Sequence, residues 1–265
     1  MNSKAGDAAS QPPLPWVLLR GLTREQRHWG RFVAVLQAAE PAARIVTLDL
    51  PGNGVLHRER SPTRVEAMAE HCRQALQARG IAPPYRVLAM SLGAMVATAL
   101  AMQRPQDIAT LVLINTSLRP FSRWYRRLRP RNLVALLRLA LTRPDAPARE
   151  RTILGLTSNA PSHERDLLQH WAAYRREFPV SAANALRQLW AAARFHAPRA
   201  RPCEPVLLLA SARDGLVDSR CSMALARAWG CALATHPWAG HDLPLDDAEW
   251  VVAQVRDWTA HRARS

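Results

Sequence analysis

The chain has 265 residues, of which 48% are hydrophobic and 22% are charged. These are the values of a globular protein, so wholesale disorder is excluded, and the length fits one large domain or one domain with an insertion. The formal net charge is +15, but all basic residues except Lys4 are Arg, which GC-rich coding also produces. Because no basic motif with interleaved aromatic residues is present, no nucleic-acid partner is expected.

Short runs of β-type residues alternate with longer helical patterns. This rhythm predicts a parallel sheet with helices on both faces. The predicted strands lie at residues 16–20, 44–48, 85–89, 110–114, 205–210 and 232–237. The helices between them are predicted at about residues 28–39, 61–79, 94–102, 219–229 and 246–261.

The block of residues 116–202 differs from the rest of the chain. It contains no β-type run, and amphipathic helices are predicted at residues 132–141, 164–177 and 182–195. It holds 17 Arg and 5 acidic residues, a net charge of +12, so the rest of the chain carries only +3. We therefore expect residues 15–115 and 203–265 to form an α/β core and residues 116–202 to form a helical insertion. The sequence leaves open whether this basic excess docks a partner or only reflects codon bias.

Targeting and cofactor signals are missing from the sequence. Residues 1–14 lack the apolar segment of a signal peptide and are predicted to be a disordered leader. No apolar run is long enough for a membrane span. The 4 cysteines show neither C-x-x-C nor zinc-ligand spacing. These observations predict a cytoplasmic protein without a metal or cofactor.

Ser91 is the candidate nucleophile. It lies between a predicted strand and a strong helical segment, in the sequence Ala89-Met90-Ser91-Leu92-Gly93. A nucleophile on so sharp a turn needs small flanking residues, and the pattern small-x-Ser-x-small meets that need. Ala89 stands where Gly is usual, a sterically mild change. The alternative is a serine that caps the following helix.

Asp214 and His241 are the candidate partners of Ser91. Asp214 follows a predicted strand, and a carboxylate at the carboxyl end of a parallel strand can face the crevice where such sheets bind ligands. The alternative is a turn Asp before Gly215. Asp218 is the competing carboxylate, but it fits better as the N-cap of the next helix. His241 lies between the last strand and the last helix, where a histidine is otherwise simply solvated.

Together these residues resemble the α/β-hydrolase superfamily in its single-domain form with a helical cap. The resemblance runs from about residue 16 to residue 259, and Ser91, Asp214 and His241 follow the order of that family's triad. Four blocks carry it: Leu19-Arg-Gly-Leu22, Asp49-Leu-Pro-Gly-Asn-Gly54, Met90-Ser-Leu-Gly93 with Asp214, and Gly240-His-Asp-Leu-Pro244. The chain is most similar to small carboxylesterases and to the pimeloyl-carrier methyl ester esterase branch.

The resemblance implies an α/β fold with about six mainly parallel strands and residues 116–202 as a cap, or lid. Only about fourteen residues precede the first strand, too few for an antiparallel hairpin at the sheet edge. His241 would be the general base, and Asp214 would orient it. The backbone N–H groups of Leu22 and Leu92 would form the oxyanion hole. Members of the family usually have His where this chain has Arg20.

A serine nucleophile implies acyl transfer to water, so we expect a serine hydrolase that cleaves a carboxylic ester or thioester through an acyl-enzyme. The candidate substrate-binding residues are Arg20, Trp29, Asn115 and Trp124, although the last three also fit a core or turn role. Two alternatives stay open. One is an esterase or thioesterase for acyl groups on an acyl carrier protein (ACP) or coenzyme A (CoA), docked on the Arg-rich cap; the other is a non-catalytic binding protein.

Overall fold

The computed structural model describes residues 13–142, 144–160 and 164–264. The leader predicted for residues 1–14 therefore lies outside the described residues, apart from its last two. The described residues form one six-stranded sheet in the order β2-β1-β3-β4-β5-β6, and every neighbouring pair is parallel. This confirms the predicted sheet. The strands are β1 (Trp16–Leu19), β2 (Ile45–Leu48), β3 (Tyr85–Met90), β4 (Ile108–Ile114), β5 (Val206–Ser211) and β6 (Ala232–His236).

Helices cover both faces of the sheet. Alternate residues of β1 show this directly, because successive side chains of a strand point to opposite faces. Val17 and Leu19 pack with one set of helices, and Trp16 and Leu18 pack with the other. The first set is α2 (Val65–Ala78), α3 (Leu92–Gln103) and α9 (Arg220–Trp229); the second is α1 (Phe32–Ala39), α10 (Leu243–Asp246) and α11 (Ala248–Arg264).

One predicted helix is interrupted. The helix expected over residues 28–39 is a 3-10 turn at Gln26–Trp29 followed by α1, because Gly30 between them takes a φ of 50° that ends the first turn. The helix expected over about residues 246–261 is α11, which begins two residues later and is preceded by the short α10.

Helices of the predicted insertion connect β4 to β5. They are α4 (Trp124–Arg127), α5 (Arg131–Thr142), α6 (Ala146–Thr157), α7 (Glu164–Glu177) and α8 (Ala182–Arg194). Helix α6 was not predicted, since its charged residues obscure the apolar periodicity. Its start had a local signal, because the Asp145 carboxylate accepts a hydrogen bond from the N–H of Ala148. In the part of the chain that the structure describes, no helix is long and apolar enough to cross a membrane.

The strand order reverses beside β1, which pairs with β2 on one side and with β3 on the other. In open parallel sheets, ligands bind outside the carboxyl ends of strands at such a switch point. Arg20 follows β1 and Ser91 follows β3 at this edge. Gly93 makes the close approach possible: a Cβ atom there would lie 2.4 Å from the carbonyl oxygen of Leu19 and 2.5 Å from that of Arg20.

Gly93→Ala is expected to lower the free energy of unfolding by about 1–3 kcal/mol, because α3 would have to move away from the rigid backbone after β1. Gly155→Ala is the matched control, since Gly155 also lies in a helix but its Cβ would meet nothing within 4 Å. That change should stabilise the protein by about 0.5–1 kcal/mol. Urea unfolding followed by circular dichroism measures both. Equal effects of the two substitutions would contradict the packing role of Gly93.

Candidate functional site

Ser91 occupies a strained turn between β3 and α3. Its φ of 54° and ψ of −120° are rare for a residue with a side chain, and such geometry is typical of a nucleophile elbow. The alternative, a serine that caps α3, requires a hydrogen bond from the helix to the side chain of Ser91. The side chain makes no such hydrogen bond. The loop after β1 lies directly against it, because a Cβ atom on Gly21 would be 3.1 Å from the Cβ atom of Ser91.

Asp214 and His241 lie together, although they come from separate loops. Nδ1 of His241 donates a hydrogen bond of 2.7 Å to Oδ2 of Asp214, and both side chains are buried. The other carboxylate oxygen of Asp214 accepts from the N–H groups of Leu216 and Val217, at 2.8 and 2.9 Å. These two backbone contacts fix the carboxylate of Asp214 so that Oδ2 faces the imidazole of His241. The competing Asp218 instead pairs with Arg220, two residues later in the chain.

The charge of Asp214 favours the protonated form of His241. Burial by itself lowers the pKa of this imidazole, but the Asp214 charge and hydrogen bond outweigh it, so the pKa lies above the ordinary value of 6.5. Asp242 also raises it, and Arg20 lowers it. The Asp214 carboxylate thus stabilises the imidazolium form of His241.

The backbone donors predicted at Leu22 and Leu92 lie on either side of Ser91. Leu92 is the first residue of α3, where the N–H group has no acceptor within the helix. Leu22 lies in a tight turn closed by a hydrogen bond of 3.2 Å from the N–H of Arg24 to the carbonyl of Gly21. Two loops at the switch point thus bring one candidate donor each to the serine.

One cavity of about 530 Å³ joins these groups. Ser91 and His241 lie in its wall, and the cap helices α5, α6 and α8 contribute mainly apolar side chains to the rest. The apolar residues from the cap and the segment before α8 are Leu136, Leu139, Ile153, Leu156, Val180, Ala182, Ala185, Leu186 and Leu189. The cavity is therefore suited to an apolar group that reaches Ser91.

A buried charge cluster connects the core to this cap. Arg24, which follows the Leu22 turn, forms an ion pair with Glu150 of α6, and Arg175 of α7 pairs with the same carboxylate. Burial raises the pKa of the Glu150 carboxyl, but the two guanidinium groups outweigh it and lower the pKa. The pKa of His28 lies well below its ordinary value, first because of burial and then because of Arg24 and Arg20.

Of the four candidate substrate-binding residues, only Arg20 lines the cavity. Its guanidinium is not free, because Nη1 and Nη2 donate hydrogen bonds of 3.0 and 2.5 Å to the two carboxylate oxygens of Asp242. The aromatic ring of Trp29 lies under that guanidinium, 4.9 Å away, and is 2% exposed. Trp124 is 67% exposed on α4. Neither Trp29 nor Trp124 is in the cavity wall of the described residues.

Asn115 also lies outside the cavity wall, and its role differs from the one predicted. Its Nδ2 group donates to the carbonyl oxygens of Gly240 and His241, at 3.2 and 2.9 Å, and to Oγ of Ser211. Asn115 therefore holds the loop that carries His241. Sequence reasoning missed both this role and the Arg20–Asp242 pair, because their partners are 126 and 222 residues apart in the chain.

Within the described residues, no group of three or more His, Cys, Asp or Glu side chains is arranged to hold a metal ion. His241 is paired with Asp214 and Asp242 with Arg20, whereas Arg149 of the cavity wall donates a hydrogen bond to the carbonyl oxygen of Leu139. What the arrangement offers chemically is a hydroxyl, a basic imidazole oriented by a carboxylate, and backbone donors beside an apolar cavity.

Comparison with known proteins finds similarity in sequence and in fold. A family model described as the alpha/beta hydrolase fold matches residues 17–248. RutD of Klebsiella pneumoniae, a proposed carbamate hydrolase, is 28% identical over 261 residues, which cover 92% of this chain and 93% of RutD.

Solved structures are similar in fold. A thermophilic esterase from Thermogutta terrifontis matches with a TM-score of 0.71 and 22% identity, over 94% of this chain and 90% of the esterase. The enol-lactonase from Burkholderia xenovorans matches with a TM-score of 0.70 and 20% identity, over 94% and 92% of the two chains.

Asp214→Asn is expected to lower the pKa of His241, because the substitution removes the charge that opposes burial. The His241 ring protons, followed by NMR from pH 4 to pH 9, should then titrate at a lower pH than in the wild type. Asp218→Asn is the control, since that carboxylate contacts Arg220 and not His241. If Asp218→Asn shifted the His241 titration and Asp214→Asn did not, the assignment of the carboxylate would be wrong.

Proposed function

We propose that this chain, which belongs to the α/β-hydrolase family, is a serine hydrolase that cleaves a carboxylic ester or thioester through an acyl-enzyme. In this proposal Ser91 is the nucleophile, His241 the general base and Asp214 the residue that orients the imidazole. The observation that carries it is the hydrogen bond of 2.7 Å between Asp214 and His241, with His241 and the strained Ser91 in the wall of the same mainly apolar cavity.

The first half-reaction would acylate the serine. His241 accepts the proton of Ser91 Oγ as the oxygen attacks the acyl carbonyl carbon. The negative charge on the carbonyl oxygen is stabilised by the N–H groups of Leu22 and Leu92. One such donor is worth about 3–4 kcal/mol in the transition state. The imidazolium then gives its proton to the leaving alcohol or thiol.

The second half-reaction would hydrolyse the acyl-enzyme and regenerate the free enzyme. A water molecule loses a proton to His241 and attacks the acyl carbon. The tetrahedral intermediate collapses as the imidazolium returns this proton to Oγ of Ser91, which releases the carboxylic acid. The carboxylate of Asp214 stabilises the imidazolium in both halves. Arg20 cannot offer a free charge to the substrate while it is bound to Asp242, so the acyl group would be chosen by the apolar wall.

The comparisons support acyl chemistry without identifying the leaving group. The similar proteins include an esterase, an enol-lactonase and a proposed carbamate hydrolase. A substrate panel therefore needs esters, thioesters, lactones and carbamates that share one apolar acyl group. The apolar residues of the cap favour acyl chains long enough to reach α5 and α8.

Ser91→Ala is expected to reduce turnover of the best panel substrate by about 10³-fold or more, because it removes the nucleophile and leaves only binding and the oxyanion donors. A fluorophosphonate probe should label the wild type at Ser91, located by mass spectrometry, and should not label the variant. The unfolding transition of the variant should match that of the wild type. Absence of both labelling and turnover in a folded wild type would favour a non-catalytic binding protein.

A narrower activity is a second candidate: hydrolysis of acyl groups attached to ACP or CoA. Its support is the surface of the cap. Leu186 and Trp190 of α8 are 64% and 55% exposed, and Leu186 also lines the cavity. Arg194 lies over the ring of Trp190, with 5.3 Å between them. The exposed apolar side chains of α8, with the guanidinium group of Arg194 over Trp190, suit an anionic carrier that delivers an apolar chain.

Arg194→Glu is expected to lower kcat/KM on an ACP-linked acyl ester by several-fold at low salt, and the difference should shrink as salt rises. Arg262→Glu on α11 is the matched control, because Arg262 also lies over a Trp ring, that of Trp258, but outside the cap. Arg262→Glu changes the net charge by the same amount and should have little effect on kcat/KM. Wild-type kcat/KM that does not change between 20 mM and 500 mM salt would argue against carrier docking.

A further inference from the structure

Gln188 of α8 is completely buried and connects the cap to the loop beside Ser91. Its Oε1 atom accepts a hydrogen bond of 2.9 Å from the backbone N–H of Thr23. Its Nε2 group donates to Oδ1 of Asn53 and to Oγ of Ser61, at 2.8 and 3.0 Å. A cap side chain thus contacts the residue that directly follows Leu22.

The orientation of the Gln188 amide is determined by its partners. Asn53 uses its own Nδ2 group to donate to the carbonyl of Arg24, so its Oδ1 atom faces Gln188. Ser61 donates its hydroxyl proton to the carbonyl of Pro51 and accepts from Gln188. The amide nitrogen of Gln188 must therefore point to these acceptors, and its oxygen must point to the N–H of Thr23.

Thr23 needs such a partner, because its backbone is strained. It has a φ of 56°, which is a genuine outlier for a β-branched residue. With the hydrogen bond from Arg24 to Gly21, this φ places Thr23 at the third position of a type II turn, where Gly is preferred. A threonine stays in that conformation only when its surroundings hold it there. If the turn relaxed, the peptide between Leu22 and Thr23 would rotate and the backbone torsions of Leu22 would change with it. The preceding peptide, which carries the N–H of Leu22, would then shift.

We propose that Gln188 is a positioning residue: it holds the strained Thr23 turn so that the neighbouring N–H of Leu22 points to the oxyanion, and catalysis thereby depends on how α8 of the cap is seated on the core. This inference rests on the proposed function, because Leu22 has an oxyanion to stabilise only if Ser91 forms an acyl-enzyme. Gln188 does not touch the substrate in this proposal and acts through the backbone.

Asn184, one helical turn before Gln188, provides a matched control. It is also buried, and it also joins α8 to the core: Oδ1 accepts from the N–H of Ser61 at 3.0 Å, and Nδ2 donates to the carbonyl of Glu59 at 2.8 Å. Its contacts end at the loop of residues 59–61 and do not include the Thr23 turn. Loss of Asn184 therefore weakens the attachment of the cap but leaves the Thr23 contact in place.

The test compares Gln188→Met, Gln188→Glu and Asn184→Leu, with active enzyme counted by fluorophosphonate titration. Gln188→Met should lower kcat by about 10- to 100-fold, part of the loss seen when an oxyanion donor is removed, and KM should change by less than about 3-fold. The inhibition constant of a boronic acid that mimics the tetrahedral intermediate should rise by the same factor as kcat falls. Gln188→Glu keeps an oxygen for the N–H of Thr23 but buries a carboxylate oxygen against Oδ1 of Asn53. It should therefore retain more of kcat than Gln188→Met while lowering the unfolding temperature.

Asn184→Leu should lower the unfolding temperature about as much as Gln188→Met but leave kcat within about 2-fold. Equal kcat losses in the two variants would show a merely structural role for Gln188 and would overturn the inference. So would a wild-type kcat in Gln188→Met, in an assay where the wild type turns over and Ser91→Ala does not. A wild type with no turnover and no labelling would overturn the proposed function and this inference with it.

Thr23→Gly gives a second, independent test, and it applies even if Gln188→Met folds poorly by itself. Glycine adopts the positive φ without strain, so the turn no longer depends on Gln188. In the Thr23→Gly background, Gln188→Met should cost less than about 3-fold in kcat, far below its cost in the wild type. The same cost in both backgrounds would contradict the proposed coupling.

Discussion

The close approach of two loops at the strand-order reversal, those that follow β1 and β3, is the constraint on which the rest of the structure depends. Ser91 can sit at the end of β3 only because Gly93 lets α3 begin against the carbonyl groups that end β1, and because Gly21 leaves room beside the serine. A side chain at either glycine would meet rigid backbone or the nucleophile itself. In this arrangement Ser91 has a φ of 54°, which is a strained backbone conformation for a residue with a side chain. Dense packing of two adjacent strands and one helix therefore maintains a conformation that an isolated peptide would not keep.

Buried polar contacts extend this arrangement outward. Asn115 holds the carbonyl groups of the His241 loop, and Arg20 holds Asp242, the next residue in that loop. On the other side of the serine, Gln188 contacts the Thr23 turn from the cap. Each contact joins segments that are distant in the chain, and each satisfies polar groups that would be costly to bury alone. The proposed catalytic groups thus depend on side chains outside the cavity wall as well as on those within it.

The cap has two physical roles in the proposed function. Its apolar side chains on α5, α6 and α8 make the wall of the cavity and so favour an apolar acyl group. Its polar side chains on the same helices bind the core, through Glu150 to Arg24 and through Gln188 to Thr23. Substrate selection and the geometry next to Ser91 are therefore properties of the same helices, which couples changes in cap sequence to both.

Local patterns in the chain were enough to predict the parallel sheet, the position of Ser91 on a strand-to-helix turn, and the order of the loops that carry Asp214 and His241. These features have local signals: β-type runs, small residues around a serine, and a Gly or Pro in each loop. Which polar residues face one another depends instead on how distant segments pack. This packing placed Trp29 in the core and Trp124 on the surface, turned Asn115 towards the His241 loop, and neutralised Arg20 with Asp242. Helical periodicity reports which side of a helix is apolar, but it cannot report which distant loop that side covers. Contacts such as Gln188 with Thr23, 165 residues apart, arise only when the chain has folded.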